Sequence, residues 1–156
     1  MELARNLKVE SILRLQPAPP VCLRTSATVG DAVDAMRANR IGCILLCAAD
    51  GSLLGIFTER DLVRRVVAPG LPLTLALSRV MTADPVTVAP SEAIAQAVRR
   101  MQRGTFRHLP VVAESGRPVG VLSVRRIVHY LVEHFPSTIC CLPPDPNVYP
   151  LEREGA

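Results

Sequence analysis

An α/β (α+β) fold, made of two β-α-β-β-α units packed about a pseudo-twofold axis into one compact module, is what this sequence predicts. Three observations lead there. The first is an internal repeat at a single offset of 65 residues, which lays Gly55 on Gly120, Thr58 on Ser123, Gly51 on Gly116 and Met36 on Met101. Ala32, Val33, Pro20, Val21 and Ser26 fall in the same register on Ala97, Val98, Pro85, Val86 and Ser91. No gap is needed from Pro20 through Val63 against Pro85 through Val128, and two copies are too few for a solenoid. The second is composition: 156 residues, 49% apolar, suit one domain or two small ones sharing a core. With aromatics at 3% and no Trp, that core must be Val, Leu, Ile and Ala. The third is the order of local patterns within each copy.

Taken along the chain, Val9–Leu13 reads as a short lead-in helix before the Pro17-Ala18-Pro19-Pro20 breaker. Val21–Leu23 is a brief strand. Thr28 caps a helix that carries Val29, Ala32, Val33 and Met36 on one face. Ile44–Cys47 is a buried strand, Asp50-Gly51 a hairpin turn and Leu53–Phe57 the returning strand. A helix over Thr58–Val67 stops before Pro69-Gly70. A linker from Leu71 to Asp84 holds a helical turn near Leu75–Met81. The plan then recurs: strand Val86–Val88, helix Ser91–Arg103, strand Leu109–Val112, turn Glu114-Ser115-Gly116, strand Val119–Leu122, helix Ser123–Phe135. The predicted organisation is a lead-in at 1–19, a first repeat at 20–70, a linker at 71–84, a second repeat at 85–135 and a proline-rich tail at 136–156. In that tail Leu142–Asn147 is extended, packing along a surface or a partner subunit or remaining disordered.

The stretch Gly55-Ile56-Phe57-Thr58-Glu59-Arg60-Asp61 carries the candidate chemistry. A strand that runs into a hydroxyl at a helix start makes an anion site, because the first backbone N–H groups lack partners and the helix dipole favours negative charge. Asp61, on the same helix face, can accept bonds from a pair of sugar hydroxyls. Thr-x-x-Asp also fits a capping box that merely ties off the helix. The repeat of this device at Gly120 and Ser123 favours the ligand reading.

Other chemistries find little support. No Ser-His-Asp set, paired carboxylates, ligand-spaced metal cluster or Walker-type loop is present, so neither catalysis nor a cofactor is expected. Cys22, Cys43, Cys47, Cys140 and Cys141 lack C-x-x-C spacing and read as structural thiols of a reducing compartment. No apolar run is long enough to cross a bilayer, and Met1–Lys8 lacks the apolar run of a secretory signal, so a soluble, cytoplasmic protein without a membrane role is expected. The net charge of +4 rests on arginine, since Lys8 is the only lysine. Arg60, Arg64 and Arg65 on one helix and Arg99, Arg100 and Arg103 on another raise a nucleic-acid reading, weakened by the missing aromatic platforms. A scaffold with empty clefts is the remaining alternative.

The repeat, the order of elements, Val80-Met81-Thr82-x-x-Pro85 and the Gly-h-h-Thr/Ser-x-x-Asp pattern (h apolar) together resemble a tandem pair of CBS domains, a Bateman module, over about residues 8–135. The resemblance implies a non-catalytic, regulatory module that binds an adenine nucleotide between its two copies and signals to a partner protein whose identity is open. By that resemblance Thr58 contacts phosphate, Asp61 accepts the ribose hydroxyls, Val21 meets the adenine edge, and Ile41 and Gly42 wall the base. Arg107 and His108 reach over from the other copy to neutralise phosphate, which favours AMP, ADP or ATP over S-adenosylmethionine. A second site is expected at Val86, Ser123 and Arg126. It departs from the pattern, since Arg126 stands where the ribose-binding Asp belongs and has no acceptor atom. That site is empty, holds another anion, or lends Arg126 to an acidic side chain or to phosphate in the first site. One strong nucleotide site per chain is therefore expected, and a homodimer formed through the helices is implied by resemblance.

Overall fold

The structure, a computed structural model, describes residues 2–140. The first sheet has four strands, β1 (Cys22–Arg24), β2 (Cys43–Cys47), β3 (Leu53–Thr58) and β4 (Thr82–Ala83), in that spatial order. β1 runs parallel to β2, the crossover being α2 (Val29–Asn39), and β2–β3 and β3–β4 are antiparallel. β3 feeds α3 (Glu59–Asp61), which continues as a π-helical segment over Leu62–Val67. The second unit holds α4 (Ile94–Gly104), the hairpin β5 (His108–Val112) and β6 (Pro118–Ser123), and α5 (Val124–His134). A lead-in helix α1 (Glu2–Val9) precedes all of this, and α6 (Pro136–Cys140) follows it.

The repeat is visible down to single hydrogen bonds. Leu23 pairs with Leu46 in the first unit and Val88 with Val111 in the second, each pair displaced by the sequence offset. A register shift lies between Leu46 and Cys47, and its counterpart between Val111 and Val112. Ile56 and Val121, equivalent in the repeat, pack together with Cys43 and Leu45 where the two sheets face one another. The hairpin turns meet too, with Leu53 N donating to Gly116 O at 3.0 Å. Equivalent residues in mutual contact are what a pseudo-twofold axis requires. They also explain why β2 is buried at every position: Ile44 and Leu46 face the helices, while Cys43 and Leu45 turn away from them toward the other sheet. Strict alternation of polar and apolar residues is lost when both faces of a strand are covered.

The lead-in and the linker do not sit where chain order suggests. Ile12 and Leu15 are buried in the core of the second unit with Val88, Ile94 and Leu122. Leu77 and Val80 are buried in the core of the first, with Val29, Ile44 and Phe57. Backbone bonds follow the same exchange: Ile12 N donates to Glu92 O and Ile94 N to Glu10 O, while Leu77 N donates to Ala27 O and Val29 N to Leu75 O. Each unit is completed by the segment that precedes the other. Gly55 and Gly120 mark the crossing points. A Cβ on Gly55 would lie 3.0 Å from Thr82 O, and one on Gly120 would lie 2.7 Å from Pro17 Cβ. The lack of a side chain lets the crossing segments lie flat on the sheet.

Several predicted elements shift for identifiable reasons. The lead-in helix is Glu2–Val9, not Val9–Leu13, because Ser11 adopts extended backbone and bridges Ala93 before a 3-10 turn over Ile12–Leu15. The predicted strand Val86–Val88 reduces to a bridge at Val88, with Val86 left exposed. α4 begins at Ile94 rather than Ser91, its first N–H satisfied by the carbonyl of Glu10 instead of by a side-chain cap. The helical turn of the linker is confined to Leu77–Arg79. Cys141 and the proline-rich Leu142–Asn147 lie outside the described residues. No helix among the described residues is long and apolar enough to cross a membrane.

Candidate functional site

Two clefts open between the units, with Gly42, Glu59, Arg107 and His108 lining both. The first, about 750 Å³, is built on the end of β3 and the start of α3. Thr58 has extended backbone and caps the helix: its Oγ1 accepts from Asp61 N at 3.2 Å, and Asp61 Oδ2 accepts from Thr58 N at 3.0 Å and from Thr58 Oγ1 at 2.7 Å. Asp61 Oδ1 lies 3.3 Å from Arg65 Nε. Arg65 also donates from Nη1 to Val80 O at 3.0 Å and to Met81 O at 2.7 Å, fastening the crossing segment to the site.

The capping reading of Thr58 and Asp61 is thus correct as geometry. It does not decide the role of the pair, because Thr28 and Asp31 form the same box at α2 and line neither cleft. What sets Thr58 and Asp61 apart is their place. They face Arg107, His108 and Phe106 of the other unit across the first cleft. A carboxylate offers about four lone-pair directions, so Asp61 keeps acceptor capacity on Oδ1 beyond its bonds to Thr58 and Arg65.

The structure parts some residues that the sequence groups together. Val21 and Ile41 line the second cleft, of about 1020 Å³, not the first. Val86 lines the first cleft with Thr58 and Asp61, not the second with Ser123 and Arg126. The cause is the exchange of crossing segments: the strand-like stretch before each unit lies over the motif of the other. Ser123 Oγ accepts from Arg126 N at 3.2 Å and caps α5 without a reciprocal carboxylate. Among the described residues Arg126 has no ion-pair partner.

Glu59 and Phe106 escaped the sequence reading. Glu59 stands in the first turn of α3, and its Oε2 would lie 3.2 Å from a Cβ built on Gly42, and His108 Cε1 3.3 Å from it, so Gly42 leaves room for both side chains. Phe106 is half-exposed in the first cleft, and its rarity in a chain of 3% aromatics was the available signal. His108 titrates below its ordinary value, chiefly because it is buried. The Glu59 carboxylate pulls the other way, and the Arg107 guanidinium adds to the lowering. His108 is therefore a neutral donor or acceptor near neutrality, and Arg107 carries the charge. Among the described residues no cluster of three His, Cys, Asp or Glu is placed to hold a metal ion.

A model of the CBS domain family matches residues 9–68 and again 77–133. The chain belongs to the CBS domain family. Its two units are a CBS pair, and solved CBS structures share the arrangement. A CBS-domain containing protein from Agrobacterium tumefaciens is 33% identical, with a TM-score of 0.71 over 78% of this chain and 98% of that one. A CBS domain protein from Pyrobaculum aerophilum, complexed with AMP, is 30% identical, with a TM-score of 0.71 over 80% of this chain and 99% of that one. A CBS domain-containing protein of Arabidopsis thaliana is 33% identical over 120 residues, which are 76% of this chain and 22% of the relative. This CBS pair spans about a fifth of the length of the curated relatives it matches first.

Proposed function

We propose that this CBS pair is a non-catalytic regulatory module that takes one adenine nucleotide, AMP, ADP or ATP, in its first cleft. The observation that carries the reading is convergence. Thr58 and Asp61 from one unit and Arg107 and His108 from the other line a single cavity of about 750 Å³, within the range of small-molecule sites. Asp61 accepts the ribose hydroxyls, the start of α3 and Arg107 hold phosphate, and Phe106 and Val86 supply apolar surface for the base. The AMP complex of the Pyrobaculum relative supports this choice of ligand class. S-adenosylmethionine, which lacks phosphate, ranks behind. Binding draws the two units together and passes to a partner protein, because a ligand shifts an equilibrium only by its differential affinity for the two states.

The reading extends to assembly. Val63 and Val67 after α3 and their equivalents Val128 and Val132 on α5 are exposed, from 42% to 62%, and form two related apolar faces. These faces suit self-association of two copies through their helices, testable by sedimentation. Buried thiols at Cys43 and Cys47 suit a reducing, cytoplasmic setting.

The test is a thermal-shift and calorimetric screen of AMP, ADP, ATP and S-adenosylmethionine on the native chain, Asp61→Ala and Asp31→Ala. At a hundred times its dissociation constant a ligand stabilises by about 2.7 kcal/mol. Asp31→Ala removes an equivalent capping box away from both clefts, so it controls for lost capping. Stabilisation that persists in Asp31→Ala and vanishes in Asp61→Ala is the expected result. A flat response to all four ligands removes the nucleotide reading.

A further inference from the structure

The two clefts treat their arginines differently. In the first, lined by Arg60, Arg64, Arg65 and Arg107, two of the four are engaged: Arg60 donates from Nη1 to Thr105 O at 2.9 Å, and Arg65 is held by Val80 O, Met81 O and Asp61. Three carboxylates, Glu59, Asp61 and Asp84, line that cleft as well. The second cleft is lined by five arginines, Arg37, Arg40, Arg107, Arg125 and Arg126, against a single carboxylate, Glu59. Among the described residues, none of these five guanidinium groups has a hydrogen-bond or ion-pair acceptor within the protein.

The five come from three separate elements. Arg37 and the left-handed cap residue Arg40 stand at the carbonyl end of α2, where positive charge is favourable. Arg107 precedes β5. Arg125 and Arg126 occupy the first turn of α5, where the helix dipole opposes positive charge. Folding alone would not gather like charges in one concavity and set two of them at the unfavourable end of a helix. A polyanion would reverse both penalties.

We propose that the second cleft binds an oligophosphate, a linear run of phosphoryl groups recognised without a nucleoside. Guanidinium groups pair with phosphate oxygens through two parallel hydrogen bonds, and arginines on three elements suit successive phosphoryl groups better than one. The motif carboxylate that would take a sugar diol is missing from this unit: Arg126 stands where the first unit has Asp61, and Ser123 Oγ caps α5 by accepting from Arg126 N. The cleft, about 1020 Å³, has room for such a chain. Arg107 lines both clefts and is shared with the nucleotide reading of the first, whereas Arg37, Arg40, Arg125 and Arg126 line only the second and carry this assignment without it.

Free oligophosphate and the phosphate tail of a nucleotide share this chemistry, and Val21 and Ile41 give a base something to lie against. Calorimetry on the full chain with sodium tripolyphosphate and, separately, ATP distinguishes them. It should be run on the native protein, Arg126→Asp, the Arg37→Ala/Arg40→Ala pair and Asp61→Ala, with melting curves to confirm folding. Tripolyphosphate is expected to bind once per chain, with native and Asp61→Ala affinities agreeing within about threefold. Arg126→Asp and the paired alanine variant are expected to weaken it by about tenfold or more. Should Arg126→Asp fail to fold, the alanine pair carries the test. Binding that is lost in Asp61→Ala and kept in the arginine variants overturns the proposal, because the phosphate then sits in the first cleft. So does the absence of tripolyphosphate binding, or ATP binding to Asp61→Ala, in which the first cleft no longer takes a nucleotide, more than about tenfold tighter than tripolyphosphate does, because the base is then being read in the second cleft.

Discussion

At the scale of single residues, Asp61 serves two ends with one carboxylate. Its Oδ2 completes the cap with Thr58, and its Oδ1 meets Arg65, which in turn grips the crossing segment. Each carboxylate is the reciprocal half of a capping box, so Asp61→Ala and Asp31→Ala should both destabilise the apo protein in denaturant melts, Asp61→Ala the more because it also releases Arg65. Only the first should abolish nucleotide stabilisation. His108 gives a pH signature. Burial holds its folded value below 6.5, so the unfolded chain takes up a proton at higher pH than the folded chain does. The stability contribution of neutral His108 is whole above the unfolded value and is lost as pH falls through the depressed folded value. Melting temperature should therefore drop between about pH 7 and pH 5, and His108→Gln should flatten part of that drop. A melting profile identical in the two proteins would show that His108 does not titrate in this window.

At the scale of elements, the glycine that opens each motif belongs to the crossing of chain segments. A Cβ on Gly55 would meet Met81 Sδ at 2.5 Å and Thr82 O at 3.0 Å, and the second contact is backbone that cannot swing away. Gly55→Ala should cost about 1–3 kcal/mol by chemical denaturation, as overpacked sites do. Gly30, within α2, has nothing nearer than 3.5 Å to its would-be Cβ, so Gly30→Ala should stabilise by roughly 0.5–1 kcal/mol through helix propensity. Opposite signs from one substitution type separate steric from entropic roles. Equal and small effects at both sites would place the crossing segment farther from β3 than the structure has it.

At the scale of the whole molecule, the exchange of lead-in segments couples the two units. Ile12→Ala should cost about 2–5 kcal/mol and loosen the second unit, although Ile12 precedes the first in the chain. Leu77→Ala should do the reverse and loosen the first. Hydrogen exchange along β2–β3 and β5–β6 reads the difference, and protection lost in the sequence-adjacent unit instead would refute the exchange. The same packing buries thiols. Burial pushes Cys43 up to about 12, with the Glu59 carboxylate adding to the shift, while Cys22 is exposed. Alkylation of the native protein should mark Cys22 ahead of Cys43 and Cys47, which react on unfolding.

Much of this was written in the sequence because it is local or periodic. The 65-residue offset, the apolar faces of α2 and α5, the turn at Asp50-Gly51 and the Thr58–Asp61 device all depend on neighbours a few residues away. So did the choice of Thr58, Asp61, Arg107 and His108, which the structure gathers in one cleft. Tertiary structure alone decided the partnership of Val86 with Thr58 and of Val21 with Ser123. Periodicity shows which face of a segment is apolar, not which of two nearly identical units will bury it. With two copies of one pattern, Leu77 and Val80 fit either core equally well by sequence. The pseudo-twofold packing, with Gly55 and Gly120 open to the crossing segments, seats each lead-in on the other unit.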